Sequence, residues 1–197
     1  MASTAAPVST APGLRPRSAT ALLAPALAGG AVALSLGVYA RVHEATGEPI
    51  VDLGFSSVLA MKAWLATAAF VLAGFQLLSA LRLYGRLPVP RTLPRWLPAA
   101  HRWSGTAAFL VSLPVAYHCL WSLGLRSDAG ARPLVHGILG CAFYGAFTVK
   151  MLALRSDRVP RWAVPVLGGT LVALLTGLWL TSSLWYFTTV ALSLIHI

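Results

Sequence analysis

Five apolar runs, each long enough to cross a hydrocarbon core, leave this chain little room for anything but membrane helices. A helix rises 1.5 Å per residue, so about 20 residues span a core of roughly 30 Å. The runs fall at residues 21–40, 57–81, 103–125, 134–154 and 163–187, separated by polar or proline-rich stretches. Apolar residues make up 57% of the chain and charged residues only 10%, a balance outside that of ordinary soluble domains. The expected architecture is an all-α integral membrane bundle of five transmembrane helices, occupying residues 21–191. Residues 1–20 are rich in small residues and proline and are expected to form a disordered cytoplasmic tail. The last six residues, LSLIHI, resemble the translated end of a sequencing adaptor. Residues 192–197 are therefore expected to be an artefact, and His196 receives no role.

The net charge of +10 rests on 15 Lys and Arg against 5 Asp and Glu. On a soluble chain that excess would point to nucleic acid, but here the basic residues fall mostly between the apolar runs and report orientation instead. One set of alternate connections holds Arg15, Arg17, Arg82, Arg86, Arg91, Arg95, Arg102, Arg155, Arg158 and Arg161. The other holds only Arg41, Arg126 and Arg132. The positive-inside rule then predicts a cytoplasmic N-terminus, an external C-terminus and a multi-pass protein of the bacterial cytoplasmic (inner) membrane. The sequence Val38-Tyr39-Ala40 resembles a signal-peptidase site. The run before it exceeds a signal peptide's apolar core, so a retained anchor is expected.

Small residues recur every four positions on three spans: Gly29, Ala33 and Gly37; Gly137, Cys141 and Gly145; Gly169, Ala173 and Gly177. Such rows let helix backbones approach closely where lipid is as apolar as the helices. Spans one and five are the expected tight contacts. Trp179, Trp185, Tyr186 and Phe187 read as an interfacial belt. The loop RLPVPRTLPRWLPAA, with four prolines, reads as an extended cytoplasmic strap meeting anionic lipid.

Chemistry is carried by a few ionisable residues within the spans. Such residues are expensive in a membrane and commonly mark a site, and imidazole is also a haem ligand. Opposite span directions place His118, about 10 Å below the outer end of span three, and His136, near the start of span four, in the same half of the bilayer. A single haem b between His118 and His136 is the sharp expectation, with cross-helix hydrogen bonding as the alternative. His136, Gly140, Phe143, Phe147 and Lys150 share one helical face that would suit a flat macrocycle or an ordinary helix interface. Lys62 joins His118 and His136 in an outer cluster, while Gln76, His101, Arg102 and Lys150 form an inner one. His101 is a candidate cofactor contact or an interfacial residue. Lys62 and Lys150 would neutralise haem propionates or a quinone, or else snorkel to headgroups. His43 could replace either ligand.

HRWSG followed by AYHCLW resembles the His-Arg-aromatic-x-Gly opening and later histidine of a ligand-bearing helix in ferric-reductase-like transmembrane cytochromes b. That resemblance covers spans three and four and implies haem b and transmembrane electron transfer. His101 and His118 depart from it, being seventeen apart where the family commonly uses fourteen, and Lys150 stands at the fourteenth position after His136. At most one haem is expected. From span one through span five the chain also resembles an uncharacterised family of five-span membrane proteins of actinobacteria, which implies no activity.

Other chemistries lack their signatures. The sequence has no dinucleotide fingerprint, phosphate loop or paired CxxC, few methionines for copper and no carboxylate within a span for proton coupling. Electron transfer between a quinol and an external redox partner leads. A haem-free anchor subunit of a redox complex and a small transporter are the alternatives.

Overall fold

The computed structural model describes residues 17–48, 50–87, 92–124 and 130–191. The adaptor-like segment and residues 1–16 of the expected tail lie outside the described residues. Five long helices account for the rest: α1 (Leu23–Val42), α2 (Val58–Leu83), α3 (Leu97–His118), α4 (Ala131–Ala153) and α5 (Ala163–Trp179). A 3-10 turn, Ala19–Leu22, leads into α1, and Ser18 Oγ accepts the Thr20 N–H at its start. The helical run therefore begins inside the stretch assigned to the tail. At their far ends α3 and α5 continue as π-helical turns, Cys119–Leu123 after α3, and Leu180–Leu184 and Tyr186–Ala191 after α5. With these extensions all five helices are long and apolar enough to cross a membrane, and among the described residues there is no strand.

The largest boundary difference from the sequence reading is at α3, which begins at Leu97 instead of residue 103. Pro98 sits in its first turn, where the missing N–H would have had no helical partner in any case. The proline-rich strap is thus shorter than expected, and His101 lies within the helix. Residues 88–91 of that strap lie outside the described residues.

Lipid-like surface surrounds the bundle. Leu27, Leu34, Trp64, Val71, Leu110, Ile138 and Val166 are all exposed on the outer faces. Helices this apolar on every side fit a multi-pass membrane protein in contact with lipid.

Neighbours run in the order α3, α2, α5, α4, α1, whereas α3 and α4, consecutive in sequence, scarcely meet by backbone. The small-residue rows explain one contact closely. A Cβ built on Gly145 would lie 2.7 Å from Gly29 O and 2.9 Å from Ala33 Cβ, so α1 and α4 touch backbone to backbone. Span five behaves differently from its expectation: Gly177 packs beneath the Leu139 side chain of α4, while Gly169 has open space where a Cβ would point.

Close packing dominates the half of the bundle holding the α2–α3 and α4–α5 connections, called here the closed half. Gln76 of α2 donates through Nε2 to His101 O and, at 2.7 Å, to Ser104 Oγ of α3. Ser79 Oγ hydrogen bonds His101 Nδ1 at 2.7 Å. Gly105 makes room for Gln76, since a Cβ there would stand 3.1 Å from its Oε1. Phe109 and Phe147 stack at 4.3 Å and fill the gap between α3 and α4.

Candidate functional site

Towards the other end, beyond Phe109 and Phe147, the gap between α3 and α4 opens into a cavity of about 360 Å³. That volume lies in the range of small-molecule sites, roughly 300–1,000 Å³. From α3 it is lined by Ser112, Val115, Ala116 and Cys119, positions at offsets of 0, 3, 4 and 7 that form one helical face. From α4 come His136, Gly140, Phe143 and Tyr144, much of the stripe identified in the sequence. Tyr144 closes the floor by bridging to α3, with its hydroxyl 2.9 Å from Ser112 Oγ. Lys62 and Arg132 bring two cations to the lining, and no Asp or Glu is among the described residues that line it.

His136 is held in one orientation. The Thr181 hydroxyl donates to Gly177 O at 2.8 Å, in the first π turn after α5, so it can only accept from the imidazole. With that hydroxyl donating to the backbone, a neutral His136, whose Nδ1 lies 3.0 Å from Thr181 Oγ1, would carry its proton on Nδ1. Cys119 lines the cavity together with His136 and Lys62. Arg132 donates to Thr181 O at 2.9 Å and lies 3.9 Å over the Trp185 ring, so a cation–π contact steadies it at the mouth.

His118 is placed elsewhere. It is only 2% exposed and does not line the cavity. Its Nδ1 donates to Pro114 O at 2.8 Å, and its Nε2 accepts the Val51 N–H at 3.4 Å. Ser122 Oγ donates to Glu48 O, and the Thr46 and Gly47 N–H groups donate to Trp121 O and Ser122 O. His118 is thus one of the clamps that fix the α1–α2 connection on the end of α3. The structure does not bring His118 and His136 together around a shared space, because one residue along α3 is a rotation of about 100°.

The remaining candidates divide between the two halves. Lys62 sits at the cavity beside His136, as the outer cluster anticipated. His101 and Gln76 meet in the closed half, but as a helix–helix lock whose imidazole is engaged by Ser79. Lys150 directs its ammonium towards α5, where a Cβ on Gly168 would lie 4.0 Å from Nζ. His43 is outside the cavity, packed between Tyr39 at 4.9 Å and Trp121 at 4.6 Å. Trp179, expected in an interfacial belt, turns inward to stack on Phe70 and donates to Thr67 Oγ1 at 3.0 Å.

Three participants escaped the sequence reading. The sequence reading gives Cys119 and Thr181 no role and counts Arg132 only as a loop charge. The signal for Cys119 was available, since it shares a helical face with Ser112 and Ala116. Thr181 had no local signal, because its role depends on α5 packing beside α4. Among the described residues no group of three or more His, Cys, Asp or Glu could hold a bare metal ion. The cavity instead offers an imidazole nitrogen, a thiol and two cations within an apolar wall. That set can hold a largely apolar molecule bearing negative charge and an atom that accepts a nitrogen lone pair.

No curated protein and no solved structure matches this chain. One family model does, across residues 22–194, which takes in all five helices and the whole cavity. The chain belongs to DUF6529, a family of unknown function.

Proposed function

We propose that this protein is a membrane-embedded haem b electron-transfer protein, with His136 as an iron ligand and Lys62 and Arg132 as counter-charges for the haem carboxylates. The observation that carries the reading is the cavity between α3 and α4, which brings an imidazole and two cations to a mainly apolar lining with no acid among the described lining residues. Haem is a flat apolar body with an iron at its centre and two carboxylates at its edge, and when bound it supplies one-electron exchange.

The chain's own residues have separate tasks. Thr181 hydrogen bonds His136 Nδ1, the orienting contact common among metal-bound imidazoles, so that Nε2 would be the nitrogen offered to iron. Lys62 and Arg132 would stabilise negative charge strongly, because the apolar wall lowers the local dielectric. Gly140 leaves space one turn below His136. Phe109 and Phe147 confine any ligand to one half of the bundle.

Basic residues concentrate at the closed half, so the positive-inside rule supports a cytoplasmic N-terminus and a cavity in the outer half of a bacterial inner membrane. A group in that position exchanges electrons at the outer side, between a membrane quinol and an external redox partner. Cysteine labelling tests the orientation in a Cys119→Ser, Cys141→Ser background. Thr46→Cys should react with an impermeant maleimide in intact cells and Thr92→Cys should not; the reverse pattern overturns it.

For the function itself, the protein is purified from haem-supplied cells and its dithionite-reduced minus oxidised spectrum recorded. A sharp b-type α-band that disappears in His136→Ala is the expected result. A haem-free protein that copurifies with a redox partner would replace this reading with the anchor subunit.

A further inference from the structure

Two helix entries at the end of the closed half share one short sequence. Pro94-Arg95-Trp96 leads into α3, and Pro160-Arg161-Trp162 leads into α5. The turns are built alike: the Leu97 N–H donates to Pro94 O at 3.1 Å and the Ala163 N–H to Pro160 O at 3.0 Å, while Ala100 N–H bonds Trp96 O and Val166 N–H bonds Trp162 O. In each, the residue after the tryptophan is buried and pins the turn to the bundle, whereas the indole is left outward, Trp96 being 60% exposed and Trp162 56%. The arginine before it is exposed as well. Among the described residues neither Arg95 nor Arg161 makes a hydrogen bond or ion pair. Charge around the two turns is one-sided, because Arg17, Arg86, Arg102, Arg155 and Arg158 are exposed at the same end. Of the 5 acidic residues only Asp157 falls there, and Glu44, Glu48, Asp52 and Asp128 belong to connections at the other end.

We propose that the Pro-Arg-Trp turns of α3 and α5 are a pair of binding sites for the phosphate headgroups of anionic phospholipids, in the leaflet at the closed half. A guanidinium is always charged and its fork matches two phosphate oxygens, so an arginine with no partner in the chain is suited to that ligand. The neighbouring indole settles at headgroup depth and sets the height at which the arginine meets it. The surrounding arginines raise the local concentration of anionic lipid. The sequence reading expected lipid contact along the proline-rich strap and an aromatic belt on span five's far end; the start of α5 carries the matching second turn, and Trp96 and Trp162 are the outward indoles at this end. These sites lie apart from the cavity and do not depend on what occupies it.

Native mass spectrometry of the full chain, held in micelles with equal amounts of phosphatidylglycerol and phosphatidylcholine, counts the lipids retained. The wild-type protein should keep one phosphatidylglycerol per turn in preference to phosphatidylcholine. Arg95→Gln and Arg161→Gln should each weaken retention of one of them about fivefold, and the double variant should weaken both. Arg41→Gln, exposed at the other end, should retain both as the wild type does. Equal retention of the two lipids by the wild type would overturn the proposal. So would phosphatidylglycerol retention unchanged in the double variant, or lowered as much by Arg41→Gln as by either turn arginine.

Discussion

The two halves of the bundle solve the same packing problem in opposite ways. In the closed half glycines remove bulk so that helices touch: Gly29 meets Gly145, and Gly105 admits Gln76. Polar side chains there are consumed in locks, with His101 bound by Ser79 and its carbonyl by Gln76. In the other half α3 and α4 stand apart, α3 and α5 pass into π turns, and imidazole, thiol and ammonium groups line an open space. A histidine within a membrane helix can therefore be a fastener or a donor. Which it is depends on whether the ring is packed between helices or lines an open space.

The largest effect that could break this contrast is expected at Gly145→Leu. The added side chain has no space against Gly29 O and Ala33 Cβ, and overpacking of that kind costs about 3 kcal/mol. Equilibrium unfolding in mixed micelles should show that loss, while Gly169→Leu, facing open space, should be nearly neutral. Equal destabilisation by the two would mean that α1 and α4 do not touch as described.

His118→Ala comes next. It leaves the Val51 N–H without its partner and should cost about 2 kcal/mol in the same assay. Haem content, measured on the folded fraction, should be unchanged. A variant that keeps its stability but loses haem would move His118 from fastener to ligand.

Much of the fold was readable from the sequence because lipid imposes simple rules. Span number and approximate limits followed from apolar run length, and the rows on spans one and four do form a tight pair. What could not be read was the partner of each face. Spans three and four follow each other across a short connection, yet α2, α5 and α1 take the closest positions around them. The residues of the outer cluster part for the same reason: His136 and Lys62 line one cavity, but His118 is captured by a loop that lies 67 residues away in sequence. Helix rotation and loop docking are tertiary properties, and a four-residue repeat does not state them.

Smaller effects sharpen the comparison. Lys62→Gln should weaken haem binding about tenfold by removing one charge-assisted contact of roughly 1.5 kcal/mol, read from haem titration into the apo-protein. Lys150→Gln, in the other half, should leave binding unchanged. Ser79→Ala removes one side-chain bond to His101 and should lower stability by only about 0.6 kcal/mol, the average for hydrogen bonds between membrane helices. A loss of haem in Ser79→Ala would give the closed half a functional role it is not assigned here.

The most direct measurement is the haem content of purified wild-type and His136→Ala proteins, determined by pyridine haemochrome against protein concentration, with folding checked by circular dichroism. One haem per wild-type chain and none in a folded His136→Ala variant is the expected result. A folded wild-type protein without haem, or haem retained when His136 is removed, would contradict the assignment of this cavity.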